Sequence, residues 1–267
     1  MPSCSSARTG LFAVSLLLLT TPVDAGLPAS RIDEVGVALP AEARVPTSVA
    51  LIDETGTQRS LGEALDGRPS LLILADYTCR AICGPVVALV ASSLERSKLT
   101  PGVDYRLIVI GLDAKDRPAD AQAMKRGQLG DDGALAQASS FLTADDAALA
   151  QLTQALGYRA VYDSANDQFA HPAAVFVLTA DGRVARALSG LGIDAGDIRL
   201  ALVEASEGKV GGFADRIRLL CYGFDPGVGA YTPSIHWLLL VVCLVSTAGL
   251  AGAIGLMMRA GPKASAS

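Results

Sequence analysis

Apolar and polar positions along this chain switch between a strand period and a helix period. Val49-Ala50-Leu51-Ile52 and Thr57-Gln58-Arg59-Ser60 flank Asp53-Glu54-Thr55-Gly56, which predicts a hairpin with glycine in its turn. Ser60 to Leu65 reads as one helical turn. Ser70 to Ala75 is a continuous apolar run of the kind found in a strand buried on both faces, and Val86 to Leu94 then reads as helix. Tyr105 to Leu112 is a second buried strand and Ala119 to Gln128 a helix, followed by a short strand at Ser140 to Thr143. Leu149, Leu152 and Leu156 recur at helical spacing, with Thr143 or Asp145 as the cap and Gly157 as the stop. Ala173 to Thr179, the turn Asp181-Gly182 and Arg183 to Leu188 form a second hairpin. A last helix runs from about Asp194 to Glu207.

The order is hairpin, β, α, β, α, β, α, β-hairpin, α. It predicts an α/β domain with a thioredoxin-like mixed sheet flanked by helices on both faces.

The two ends carry a different pattern. Arg8, the apolar run Leu11 to Leu19, and small residues at Val23-Asp24-Ala25 before Gly26 have the form of a secretory signal. Trp237 to Met258 holds 22 residues without a charge, enough to cross a ~30 Å hydrocarbon core. Tyr231 and Trp237 stand where an interfacial aromatic belt would be, and Arg259 and Lys263 follow on the side that stays in the cytoplasm. The expected organisation is a signal peptide at 1–25, a flexible leader at 26–45 and the folded domain at 46–210. A juxtamembrane stalk at 211–235, one C-terminal transmembrane helix at 236–258 and a cytoplasmic tail at 259–267 complete it. The main domain then faces the extracytoplasmic space.

A net charge of −5 and the lack of any basic run argue against a nucleic-acid partner. No phosphate loop, Gly-x-Ser-x-Gly elbow or dinucleotide glycine pair occurs. The chemistry concentrates instead at Cys79-Arg80-Ala81-Ile82-Cys83, directly after the first buried strand, and at His171, 88 positions beyond Cys83. Thiols at the start of a helix gain thiolate character from its dipole and unsatisfied N–H groups. Spacing of three between the cysteines sets the sulfurs on one face if the segment is helical. Two thiolates and one imidazole suit a soft ion, Cu(I) above all; the same thiols could cycle as a redox dithiol. An exported compartment is oxidising, so the pair can also close as a disulfide.

A structural zinc site would need a fourth protein ligand, and no second histidine of the soluble part supplies one. Met124 is the only methionine between the two hydrophobic ends, which excludes a methionine-rich copper site. His236 reads as an interfacial residue. Cys4 would leave with the signal, and Cys221 and Cys243 read as unpaired structural thiols.

These residues resemble the Sco/SenC family of copper-binding, membrane-anchored thioredoxin-fold proteins. The matching segments are Tyr77-Thr78-Cys79-x-x-x-Cys83, Leu112-Asp113 with Asp116 and Pro118, Phe141-Leu142-Thr143, and His171 ten residues before Asp181-Gly182. They span about 45–210. Leu219-Leu220-Cys221-Tyr222 with Asp225-Pro226 look like a bacterial subgroup that has a C-terminal membrane helix.

The resemblance implies copper as cargo, Cu(I) first and Cu(II) open, with Cys79, Cys83 and His171 as its ligands. It implies delivery to the binuclear copper-A site of cytochrome c oxidase, or reduction of that site's cysteines. The implied partners are the copper-bearing oxidase subunit and other periplasmic copper chaperones or thiol reductases, at the bacterial inner membrane. Three departures stand out: Arg80 and Gly84 follow the cysteines where the family has proline, Asp113-Ala114 replaces Asp-Pro, and Pro172 follows His171. A thiol–disulfide oxidoreductase using Cys79 and Cys83, or a copper or redox sensor, remain the alternatives.

Overall fold

The computed structural model describes residues 31, 33–79, 82–207, 222–225, 230–233 and 235–259. The first hairpin forms as expected, from β2 (Ala50–Asp53) and β3 (Gln58–Ser60), after a short β1 (Gly36–Val37). Asp53 closes its turn, accepting from the backbone N–H groups of Thr55 and Thr57. Ser60 and Glu63 form a reciprocal capping box at the start of α1 (Leu61–Leu65). The two apolar runs become β4 (Ser70–Ala75) and β5 (Arg106–Gly111). Between them lies α2 (Cys83–Arg96), which starts earlier than its apolar periodicity suggested.

After β5 come α3 (Pro118–Leu129), the short α4 (Ala134–Gln137), β6 (Ser139–Thr143) and α5 (Asp146–Leu156). Asp145 is the cap of α5, accepting from Ala148 N at 2.8 Å. Gly157 ends it with φ +56°, and a Cβ there would lie 1.9 Å from Ala38 O. Two small pieces follow that periodicity did not reveal: β7 (Tyr158–Arg159), and a hairpin of β8 (Val161–Asp163) and β9 (Gln168–Ala170). Then come β10 (Ala174–Leu178), β11 (Val184–Ser189) and α6 (Ala195–Ala205).

Seven strands make one sheet in the order β11-β10-β4-β5-β6-β2-β3. β4, β5 and β6 run parallel; β10 is antiparallel to β4, and β2 to β6. The pleat sends Leu71, Ile73 and Ala75 to one face, against Val87, Val90 and Leu94 of α2 and Ile198 and Leu202 of α6. Leu72 and Leu74 point to the other, against Leu61 and Leu65 of α1 and Leu149, Leu152 and Leu156 of α5. Each such fully buried leucine contributes about 1.5–3 kcal/mol. This is the thioredoxin-like α/β plan expected from the alternation.

The leader is a correction. Within the expected flexible stretch 26–45, Ala43 and Val45 are buried, and β1 pairs antiparallel with β7. Val45 N donates to Gly182 O, and Val184 N to Ala43 O. Backbone pairing holds this segment, which is why it lacks an amphipathic period.

Toward the C-terminus, β12 (Tyr222–Asp225) and β13 (Ala230–Pro233) form an antiparallel hairpin. The backbone of Ile235–Arg259 is then one 25-residue helix, α7. No helix among the described residues registers as long and apolar enough to cross a membrane; described side chains of α7 run unbroken only through 243–255. The signal-like segment, Cys4, Arg80, Cys221 and the last eight residues lie outside the described residues, as does the side chain of His236.

Candidate metal centre

The sheet brings the cysteines and the histidine together. β10 runs antiparallel beside β4, with Val175 opposite Ile73. Residues just before β10 therefore sit at the end of β4 from which the cysteine segment leaves. Cys83 is the first residue of α2, and its Sγ lies 3.1 Å from His171 Nε2. Cys79 precedes the helix, so the two cysteines do not share a helical face. Its side chain packs half-buried against the apolar cluster that contains Cys83, and its N–H donates to Asp76 O at 3.3 Å. Cys79 and Cys83 carry thiols here, not a disulfide.

His171 is oriented from behind. Its Nδ1 lies 2.8 Å from Tyr158 Oη and 3.3 Å from Pro172 O, and Tyr158 Oη lies 2.9 Å from Pro172 O. The consistent assignment is that Tyr158 donates to Pro172 O and accepts from Nδ1–H. Nε2 is then the unprotonated nitrogen and faces Cys83, the orientation that an outer-shell partner gives a ligating imidazole. Burial lowers the His171 pKa, keeping the ring neutral.

Burial also pushes the Cys83 thiol well up, with the Cys79 side chain adding to the rise. Desolvation thus opposes the thiolate character that the helix start favours. With Nδ1 protonated, the Cys83 S–H is the donor to Nε2.

A cavity of about 10 Å³ lies among Ile73, Ala75, Ile82, Cys83, Val86, His171 and Ala173. It is small, of single-atom size. The donor chemistry, sulfur and imidazole in an apolar pocket, fits a soft ion. Among the described residues, no three of His, Cys, Asp and Glu form a ready-made cluster for a metal; Cys83 meets His171 at 3.1 Å, and the Cys79 side chain is within hydrogen-bonding reach of Cys83.

Sequence reading missed Tyr158 and Asp76. Tyr158 follows a helix stop and carries no motif. Asp76 is fully buried, directly after six buried strand residues, and an acid in that setting was the available signal. Asp113 and Asp116, noted for their resemblance, are both buried beside it. Burial, with the charges of Asp76 and Asp113, raises the Asp116 carboxyl to about 7, and its Oδ1 has no hydrogen-bond partner. Tyr77 anchors the base of the cysteine loop, its hydroxyl 2.9 Å from both Val109 O and Leu142 O.

No family model matches the chain, and no curated protein matches it. Solved structures do. One from Aquifex aeolicus, described as an electron transfer protein, is 24% identical with a TM-score of 0.56, covering 64% of this chain and 96% of that one. Arabidopsis thaliana ScoI, solved with copper bound, is 14% identical with a TM-score of 0.50, covering 60% and 96%. BsSco, a member of the Sco family of cytochrome c oxidase assembly proteins in which a disulfide switch was identified, is 21% identical with a TM-score of 0.50, covering 64% and 97%.

This chain has the Sco fold. Both of these Sco structures are matched almost end to end. In this version of the Sco fold, Cys83 and His171 meet where β4 and β10 run side by side.

Proposed function

We propose that this chain is a Sco/SenC-family copper carrier. It receives copper and delivers it to the binuclear copper-A site of cytochrome c oxidase, or keeps that site's cysteines reduced. The observation that carries the reading is the 3.1 Å approach of Cys83 Sγ to His171 Nε2 across 88 residues of chain, with Nδ1 turned away onto Tyr158. Cys79, Cys83 and His171 hold the cargo as two thiolates and an imidazole, a donor set suited to Cu(I). The fold shared with copper-bound ScoI and with an oxidase-assembly protein supports the same reading.

The domain stands outside the bacterial inner membrane, anchored by the C-terminal helix with its tail in the cytoplasm. A 25-residue helix is about 37 Å long, enough for the hydrocarbon core. Leu240, Leu244, Val245, Leu250 and Ile254 are all exposed on it, as on a helix solvated by lipid.

The test is metal stoichiometry of the reduced, anaerobic protein. One Cu(I) should bind through two sulfurs and one nitrogen by X-ray absorption. Cys79→Ser or Cys83→Ser should abolish tight binding, and His171→Ala should weaken it.

A second reading, a thiol–disulfide oxidoreductase, is favoured by the asymmetry between a more exposed Cys79 and a buried Cys83. It predicts that His171→Ala restores oxidase activity fully to cells lacking the protein while either cysteine variant fails, with no rescue by added copper. That result would replace the carrier reading.

A further inference from the structure

We propose that Asp76 is a positioning residue, whose buried carboxylate fastens the Cys79–Cys83 loop and the strand leading to His171 to one another. The inference rests on the carrier reading for what the donors do, but the placement stands on its own contacts.

Asp76 is the first residue after β4 and is 0% exposed. A buried carboxylate persists when its oxygens are used, and both of these are. Oδ1 accepts from Thr78 N at 3.0 Å and from Thr78 Oγ1 at 2.9 Å. Oδ2 accepts from Phe169 N at 3.1 Å, across 93 residues of chain. The Asp76 carbonyl accepts from Cys79 N. A single side chain thus grips the cysteine loop with one oxygen and β9 with the other.

β9 is bonded to β8 along one edge, and the Phe169 N–H on its other edge reaches Asp76. His171 follows β9 directly, so the position of β9 sets where the imidazole stands. The cysteine loop lies beyond the end of β4, held to the large sheet at its base by Tyr77, and among the described residues β9 pairs with β8 and not with the large sheet. The two donors would otherwise sit on segments held independently. An apolar residue at 76 would leave the Phe169 N–H unpaired and the loop unfastened.

The experiment uses the full chain, reduced and anaerobic, in wild type, Asp76→Ala, Asp76→Asn and Thr78→Val. Asp76→Asn keeps the shape but turns an amide NH2 toward either Phe169 N–H or Thr78. Thr78→Val keeps the volume and removes one bond. Two readouts are taken: the His171 imidazole 15N shifts in metal-free protein, and Cu(I) affinity by competition with a bicinchoninate chelator.

Asp76→Ala and Asp76→Asn should shift His171 away from the single Nδ1–H tautomer and lower Cu(I) affinity by about tenfold, the usual scale for outer-shell groups at metal sites. Thr78→Val should move both readouts the same way by less. Wild-type imidazole shifts together with affinities within twofold in the folded variants would overturn the proposal. Should Asp76→Ala fail to fold, Asp76→Asn and Thr78→Val decide by the same criteria. If the wild-type protein takes up no Cu(I), the carrier reading falls, while the imidazole shifts still decide the role of Asp76.

Discussion

Replacing Tyr158 with phenylalanine isolates the contribution of the group behind His171. The ring keeps its place, because its packing is an edge contact with Phe176, with centroids 6.1 Å apart. Only the hydroxyl goes, and with it the 2.8 Å contact to Nδ1. Pro172 O stays satisfied by Ala174 N at 2.9 Å, so no buried carbonyl is orphaned. The hydroxyl's 2.9 Å bond to Pro172 O goes as well, so the stability loss should be that of two hydrogen bonds with no partner orphaned, about 1–2 kcal/mol, or about 2–8 °C in Tm for a domain of this size. Cu(I) affinity should fall too. Outer-shell partners of ligating histidines are worth about 10–100-fold, and the remaining 3.3 Å contact of Nδ1 with Pro172 O places this case near the lower end. Chelator competition under anaerobic conditions reads the affinity, and urea unfolding reads the stability. Affinity within twofold of wild type, with His171 still in its Nδ1–H form, would refute the tautomer argument.

Asp116, whose Oδ2 faces Tyr77 N at the base of the cysteine loop, gives a pH-dependent test. Burial raises its carboxyl from 3.8 to about 7, so between about pH 4 and 7 the folded state keeps a proton that the unfolded state has released. Its contribution to stability is intact below pH 4 and declines as pH rises through that window. Asp116→Asn should therefore gain on wild type by about 1–3 kcal/mol between pH 4 and pH 8; parallel denaturation curves at the two pH values would count against the assignment. Gly157→Ala should cost more than about 2 kcal/mol, since its Cβ would overlap Ala38 O at φ +56°; a Tm unchanged within 2 °C would show that β1 yields freely. Reporters fused after Ser267 and after Gly212 should be active only inside and only outside the membrane, respectively; the reverse would overturn the anchor.

The large elements were legible because burial on two faces leaves a simple trace. Ser70–Ala75 and Arg106–Gly111 are six-residue runs that only a central strand explains, and Asp181-Gly182 marks the β10–β11 turn without ambiguity. Cys79, Cys83 and His171 were legible as chemistry, because their residue types are rare in the soluble part. What periodicity could not show is held by backbone pairing or by single polar contacts over long separations. Val45 is buried through hydrogen bonding next to Gly182, Tyr158 acts on a histidine beyond the β8–β9 hairpin, and Asp76 reaches Phe169 across 93 residues. No local pattern encodes such partners. The helix start at Cys83 was visible in the sequence, but the depth of burial that opposes its dipole was not.

The geometry also separates the two chemistries the thiols could perform. A Cys79–Cys83 disulfide would close a loop of only five residues, which on the chain-entropy account restrains the unfolded state by about 2 kcal/mol. A bond network that also includes His171 ties together residues 88 apart, and the same account gives about 4.5 kcal/mol for a loop of that length. Oxidation therefore acts locally, on a segment lying outside the sheet, whereas ligation spans β4 and β10 and restrains the domain between them. An imidazole at 3.1 Å from a thiol can also serve as its base, so the contact alone serves either chemistry. The span separates them: a dithiol needs only the five-residue segment, whereas a cargo held by Cys79, Cys83 and His171 would draw on the whole arrangement, the far nitrogen on Tyr158 included, and this is the physical reason for placing the carrier reading ahead of the dithiol one.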